Sequence, residues 1–409
     1  MINTIDLFAG CGGLTEGFKQ SGNYNTIACV EWDKVPCKTL RYRMQTKWGY
    51  KDADKRVLRF DIQRTKELLN GWDDEEYGSS SGLDTLVAQY AGNVDLIIGG
   101  PPCQAYSVAG RIRDENGMRD DYRNYLFEKY IDILVHYAPR AFIFENVPGM
   151  LSATPGDSGL RIVDRVRKRF YEAGYTLLDD LHKAMIDLTE YGVPQNRKRV
   201  IILGLRRSIY GDNADKIVEK FYKEILANHK TKKKVTVRNA IEDLPKLYPL
   251  EKPVMMNGKR YSHSLSDNYS INNHTARYNN HRDISVFKML AEDIENEKFE
   301  YTSTDSLKKL YTSLTGHSSN VHKYYVLRWD EQSNTIPAHL YKDGLRHIHP
   351  DSEQARSITV REAARLQTFP DDYEFISNSA LDYKMIGNAV PPKFSYILAE
   401  SLKEILLHG

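Results

Sequence analysis

The stretch Val94-Asp95-Leu96-Ile97-Ile98-Gly99-Gly100-Pro101-Pro102-Cys103-Gln104 is a short apolar run stopped by two glycines and two prolines. Leucine and isoleucine in so short a run read as a buried strand, and the glycines as a tight turn at its end. In an open parallel sheet such a turn lies at the carboxyl edge, where ligands bind. The two prolines stiffen the backbone and deliver Cys103 at a defined place. A thiol there is a candidate nucleophile. A lone cysteine is otherwise a small buried hydrophobe, and the turn alone leaves both readings open.

Four more runs of the same kind flank this one: Ile5 to Phe8, Thr26 to Val30, Ala141 to Phe144 and Val200 to Leu203. Amphipathic stretches lie between them, such as Leu160, Val163, Val166, Phe170 and Ala173, closed by Gly174 as a C′ residue. The alternation predicts an α/β fold: a doubly wound, mostly parallel Rossmann-like sheet with helices on both faces. It stops near Arg206. A polar region rich in Tyr, Asn, His and Lys runs to about Ser352, predicting a smaller irregular, β-containing domain. Helical pattern returns at Thr359-Val360-Arg361-Glu362, a capping box, and at Phe394, Ile397, Leu398, Ser401, Leu402 and Ile405, one face of a closing helix. The expected division is therefore 1–205 with 355–409, interrupted by 206–354. Residues 71–92, acidic and Ser/Gly-rich, and the lysine run near Lys230 to Lys234 read as surface insertions.

The 57 basic and 55 acidic side chains nearly cancel, so any basic surface is local. Cys11, Cys29, Cys37 and Cys103 show no paired metal spacing. This argues against a disulfide framework and for a reducing cytoplasm. Neither a signal peptide nor an apolar run long enough for a bilayer is visible, which predicts no membrane partner.

Asp6-Leu7-Phe8-Ala9-Gly10-Cys11-Gly12-Gly13-Leu14 joins the first strand to the first helix. Its glycines admit a ligand close to the backbone, and the helix start offers free N–H groups. Glu31 ends the second strand, where a carboxylate suits ribose hydroxyls. This reads equally as a dinucleotide site, although the G-x-G-G spacing departs from G-x-G-x-x-G. Glu145-Asn146-Val147 follows the Ala141–Phe144 run. Burial there predicts a carboxyl with raised pKa, fit for acid chemistry; a structural hydrogen bond is the alternative. In Gln195-Asn196-Arg197-Lys198-Arg199, strand alternation sends Arg197 and Arg199 to one side, as an anion site or as a solvated charge run.

Together these segments form an ordered set: Asp6 to Gly13, Glu31-Trp32-Asp33, Pro101-Pro102-Cys103-Gln104, Glu145-Asn146-Val147, Gln195-x-Arg197-x-Arg199, Arg365-Leu366-Gln367-x-Phe369-Pro370 and Gly387-Asn388-x-Val390. The order resembles the cytosine-C5 DNA methyltransferases of bacterial restriction-modification systems, over roughly residues 1–205 and 355–409. Seven short motifs in one order are far more specific than any one of them. The resemblance implies S-adenosylmethionine as cofactor, near Phe8, Gly10, Gly12, Glu31, Trp32, Asp61, Ile62, Pro101, Asn388 and Val390. It implies that Cys103 adds to carbon 6 of a flipped-out cytosine in duplex DNA, with Glu145, Arg197 and Arg199 around the base. Ser107 to Arg123 then reads as a polar lid, with Arg111, Arg113 and Arg123 holding phosphates. Tyr106 stands where the family commonly has Phe.

In that family the middle region is the target recognition domain, here about Tyr210 to Pro350. Its His, Tyr, Asn and Arg side chains suit base edges, and Asn272 to Arg277 reads as a DNA-facing element. No metal is expected, since this region has no cysteine and no regular His spacing. Three rivals remain. The tRNA-modifying branch shares the catalytic motifs but carries a Cys-Phe-Thr element absent here. A silent DNA-binding module would not need the intact Cys103, Glu145 and Arg197 set. A dinucleotide oxidoreductase is disfavoured by the glycine spacing. The reading thus predicts a monomeric cytoplasmic, nucleoid-associated enzyme, with a companion restriction endonuclease acting separately.

Overall fold

The computed structural model describes residues 1–102, 125–154, 161–265, 271–318, 324–342 and 344–408. These form two compact units, Met1–Gly192 with Arg197–Lys232 and Ala389–Gly409, and Val193–Asn196 with Lys233–Asn388. The divisions fall away from the expected 205 and 355. The first unit keeps the helix Ala214–Lys220 beside the sheet, and the second keeps the helices Val360–Leu366 and Ser379–Asn388.

The first unit is built on an eight-stranded sheet. Its strands are β1 (Ile2–Leu7), β2 (Tyr24–Glu31), β3 (Val57–Arg59), β6 (Leu96–Gly99), β7 (Ala141–Asn146), β8 (Tyr175–Thr176), β9 (Met185–Asp187) and β10 (Lys198–Arg206). A separate two-stranded hairpin supplies β4 (Trp72–Asp74) and β5 (Gly78–Ser80). The sheet order is β3-β2-β1-β6-β7-β10-β8, with β9 also paired to β10. Strands β3, β2, β1, β6 and β7 are parallel, and β10 runs antiparallel to β7, β8 and β9. All five sequence-predicted runs are strands, and the Rossmann-like topology is as expected. From β1 the chain winds first toward β3 and then back to β6. This reversal opens a crevice at the carboxyl ends of β1 and β6.

Sequence explains the local structure. Leu96, Ile97 and Ile98 are fully buried because helices cover the sheet. Helix Ile162–Glu172 ends at Ala173, and Gly174, with φ 95°, takes the left-handed C′ position. Helix Pro392–His408 lies against helix Gly13–Gln20, at a distance that only glycine permits. A Cβ on Gly13 would lie 2.4 Å from the Val390 carbonyl oxygen, and one on Gly17 would lie 2.3 Å from the Tyr396 nitrogen. Residues 71–92 are not a plain surface insertion. Trp72, Leu83 and Leu86 are buried, and the segment forms β4, β5 and the helix Gly82–Tyr90.

The second unit is mostly helical and irregular, with one hairpin, β11 (Pro249–Met256) and β12 (Lys259–His263). Helices His281–Glu295 and Thr304–Thr315 lie where the sequence showed weak periodicity, and they pack through Phe287, Leu290 and Leu307. The capping box is present: Glu362 N donates to Thr359 Oγ1 at 3.2 Å, and Thr359 N donates to Glu362 Oε2 at 2.7 Å.

In Asn272 to Arg277, the side chains of Asn273, His274 and Arg277 are engaged within the second unit, while Asn272 and Thr275 are exposed. Asn273 exchanges two hydrogen bonds with the Phe375 backbone, His274 bonds the Pro245 carbonyl and Thr359, and Arg277 Nη2 donates to the Leu340 carbonyl. His263, His274, His347 and His349 are likewise buried, so these histidines serve the interior and not base edges.

Candidate active site

The β6 turn is shaped by what packs against it. A Cβ on Gly99 would lie 2.4 Å from the Leu7 carbonyl oxygen. One on Gly100 would lie 2.5 Å from Glu145 Oε2. The two glycines therefore let β1 close on the turn and let the Glu145 carboxylate rest on its backbone. Pro101 is buried, and its carbonyl accepts a hydrogen bond from Asn146 Nδ2 at 3.5 Å. Cys103, and with it Tyr106, Arg111, Arg113 and Arg123, lies outside the described residues.

Glu145 is the last residue but one of β7, and Ile201 on β10 is its pairing partner. Because β10 is antiparallel, its beginning lies beside the end of β7, and Arg199 comes within reach. Arg199 Nε and Glu145 Oε1 are 2.8 Å apart, with both side chains 13 % exposed. The apolar isolation expected for Glu145 is absent: a guanidinium faces it. Arg197 departs from the alternation argument because β10 starts only at Lys198. Its side chain is buried, and Nη2 donates to the Ala389 carbonyl at 2.9 Å. Arg197 and Arg199 thus meet different partners. Gln195 belongs to the second unit, where its amide bonds the Leu366 carbonyl and the Ile336 N–H and meets Gln367.

The β1 turn supplies the second half of the site. Phe8 sits at φ 60°, a left-handed conformation uncommon for a bulky side chain. A Cβ on Gly10 would meet nothing within 4 Å, so the loop is open on that side, whereas one on Gly12 would press on Leu40 at 2.5 Å. Glu31 is held by Gly10 N at 2.9 Å to Oε2 and by Asp33 N at 2.8 Å to Oε1. Burial pushes the Glu31 carboxyl above its ordinary range, against these N–H donors. Each oxygen keeps a lone pair for a further donor. Trp32, next in sequence, is 57 % exposed. Ile62 is buried, and Asp61 accepts from Gln63 N at 2.9 Å. Val390 lies against Gly13, and Asn388 ends its helix in the second unit.

Asp6 carries no role in the motif set. Its carboxyl is fully enclosed and pushed up to about 7, chiefly by burial, while Thr15 Oγ1 donates to Oδ2 at 2.5 Å. Its other oxygen has no hydrogen-bond partner among the described residues. A charged residue between Ile5 and Leu7 near the strand's end is the available signal. Among the described residues, no group of three or more His, Cys, Asp or Glu could hold a metal ion, and no helix is long and apolar enough to cross a membrane.

An open glycine turn, the Glu31 carboxylate at the end of β2, an exposed indole and the Asp61 carboxylate two residues beyond β3 suit an adenosine with a charged tail. The turn–glutamate–arginine cluster beyond them suits a polar ring.

Comparison with known proteins agrees. The family model for C-5 cytosine-specific DNA methylase matches residues 2–404. Type II methyltransferase M.Bpa9945I of Bacillus paralicheniformis is 32 % identical over 98 % of each chain. Type II methyltransferase M.AgeI of Thalassovita gelatinovora is 27 % identical over 98 % of this chain and 99 % of its own. The crystal structure of the S. pombe Dnmt2 methyltransferase shares the fold, with a TM-score of 0.56 at 14 % identity over 100 % of this chain and 99 % of that one. By its fold and by a family match over nearly its whole length, the chain belongs to the C-5 cytosine-specific DNA methylases, and it is a DNA (cytosine-5-)-methyltransferase.

Proposed function

We propose that this enzyme methylates carbon 5 of a flipped-out cytosine within a specific duplex sequence, through covalent attack by Cys103. The observation that carries the reading is the Glu145 carboxylate resting on Gly100, three residues before Cys103 in the chain, with Arg199 behind it. Carbon 6 of cytosine is a weak electrophile. A thiolate adding there pushes electrons toward carbon 5, and charge develops at ring nitrogen N3. Glu145 donates a proton to N3 as that charge develops, and Arg199 orients its carboxyl group through Oε1. Arg197 is assigned to the carbonyl oxygen of the base. A free thiol has a pKa of about 8.5, so the site must favour the thiolate of Cys103, a task that cationic neighbours perform.

The residues at the β1, β2 and β3 ends fit S-adenosylmethionine, which supplies the methyl group that carbon 5 takes up. Glu31 binds the ribose hydroxyls, Phe8 and Trp32 flank the adenine, and Gly10, Gly12, Asp61, Ile62, Pro101, Asn388 and Val390 complete the site. Loss of the carbon 5 proton then re-forms the ring double bond and expels Cys103. Inside a duplex neither face of the base is accessible, so the target leaves the stack. Arg111, Arg113 and Arg123 hold phosphates around it.

Residues 206–354 are assigned to target recognition and its connecting segments, the latter including the stretch to Lys232 that belongs to the first unit. The β11–β12 hairpin supports this. Met255 is 65 % exposed at its end, beside exposed Lys252, Lys259 and Arg260. A two-stranded ribbon with basic flanks fits the major groove. The relatives' names, type II methyltransferases, support a restriction-modification setting, and we assign the enzyme a separately acting endonuclease as companion and the cytoplasmic nucleoid as its place of work. Labelled S-adenosylmethionine offered with either duplex DNA or tRNA tests the reading. Label is expected in DNA, and label in tRNA alone would overturn it.

A further inference from the structure

The segment after Asp61 has no counterpart in the motif set, yet it is tied to the cofactor-side carboxylates. The Phe60 ring stacks on Trp72 at 4.0 Å and 25°, and it meets Tyr77 edge-on at 5.2 Å. The Arg64 guanidinium lies 4.7 Å from the Phe60 ring centre, and that of Arg59 lies 4.9 Å from the Tyr77 ring centre. Asp74 closes the hairpin turn. Its Oδ1 accepts from Glu76 N at 2.8 Å and Tyr77 N at 3.0 Å, and its Oδ2 accepts from Arg64 Nη1 at 2.7 Å. Phe60 N in turn donates to the Glu31 carbonyl at 3.0 Å, and Arg64 N donates to the Asp61 carbonyl at 3.0 Å. One aromatic stack therefore runs from the hairpin to the backbone of Glu31, and one arginine runs from Asp74 to the backbone of Asp61. Burial, then the Glu76 and Asp61 carboxylates, push the Tyr77 hydroxyl above its ordinary range.

We propose that the Trp72–Ser80 hairpin braces the adenosine subsite, with Trp72, Tyr77 and Arg64 acting through Phe60 as positioning residues for Asp61 and Glu31. This rests on the S-adenosylmethionine reading above. A loop held in its bound conformation spares the ligand the cost of ordering it. The brace touches neither the base nor the turn before Cys103, so its loss weakens ground-state and transition-state binding equally. That pattern raises KM and leaves kcat alone.

Tyr77 and Arg64 are partly exposed, so Tyr77→Ala and Arg64→Gln test the brace with little burden on folding. S-adenosylhomocysteine is titrated by calorimetry, and KM for S-adenosylmethionine is measured on genomic DNA that the wild type methylates. In both variants Kd and KM are expected to rise roughly tenfold with kcat within about twofold. Tyr77→Phe, which keeps the ring edge on Phe60, restores values near wild type. Unchanged Kd and KM in both variants would overturn the proposal, as would a fall in kcat and melting temperature without a change in KM. A wild type that binds no S-adenosylhomocysteine would instead sink the cofactor reading, and the proposal with it.

Discussion

Arg199 Nε stands 2.8 Å from Glu145 Oε1, joining the start of an antiparallel strand to the end of a parallel one. The pair exists because β10 enters the sheet reversed, which returns its first residues to the carboxyl edge where β7 finishes. Replacing Arg199 by Met removes the fork that orients the carboxylate and keeps most of the side-chain volume. The expected result is a fall in kcat of about a hundredfold or more. S-adenosylhomocysteine affinity, measured by calorimetry, should change by less than about twofold.

Gly99 and Gly100 provide a contrast within one turn. Alanine at 99 would meet the Leu7 backbone, which cannot yield without opening β1 from β6. Alanine at 100 would clash with the end of the Glu145 side chain, at 2.5 Å from Oε2, and would otherwise touch Glu145 only at ordinary contact distance. Gly99→Ala is therefore expected to cost about 2 kcal/mol or more in urea unfolding. Gly100→Ala should unfold near wild type while its methyl transfer rate collapses. Equal stability losses in the two variants would remove the argument.

The second unit should be acid-sensitive. Burial lowers His263 to about 4 and His347 and His349 to about 3. Their folded-state pKa values lie below the unfolded one, so the unfolded chain binds more protons between them. Stability is then fully present above about pH 6.5 and falls as pH drops toward 4, by about 3 kcal/mol per histidine. Urea unfolding at pH 7.5 and 5, followed by Trp329 fluorescence in a variant lacking the other tryptophans, checks this. His347→Phe should flatten the pH slope.

Glu16 and Arg43 form a buried bidentate pair, at 2.9 Å and 2.7 Å, between the first two helices. Arg43→Ala leaves a buried carboxylate without its cation and is expected to cost about 3–5 kcal/mol. Chemical denaturation of the single variant and of Glu16→Gln/Arg43→Met measures it. The double replacement should recover part of the loss.

The basic hairpin end should control DNA affinity through salt. Lys259→Ala/Arg260→Ala is expected to weaken binding to a random 30-base-pair duplex about tenfold at low salt and to reduce the salt slope by about 2. Fluorescence anisotropy over a salt series reads both. An unchanged slope would remove this hairpin from the DNA surface.

Much of this was legible because it is local. The apolar runs of β1, β2, β6, β7 and β10, the Thr359 capping box and Gly174 each declare themselves within a few residues. What escaped depends on partners far along the chain. Gly100 reads as a turn residue until Glu145 packs on it, and Arg199 reads as surface charge until β10 is seen to run backward. His263, His274, His347 and His349 read as partners for base edges because polarity alone does not reveal burial. Residues 71–92 looked like an insertion because the rings of Trp72 and Tyr77 find Phe60 only in three dimensions.

The central claim is the bond between Cys103 and carbon 6. Replacing the carbon 5 hydrogen by fluorine blocks the final elimination, so the covalent complex cannot resolve. Duplex DNA carrying 5-fluorocytosine, incubated with enzyme and S-adenosylmethionine and digested for mass spectrometry, should yield one modified peptide, with the nucleotide on Cys103. Cys103→Ala should give neither adduct nor methylated cytosine while still binding S-adenosylhomocysteine. An adduct on another residue, or methylation persisting in Cys103→Ala, would contradict the account.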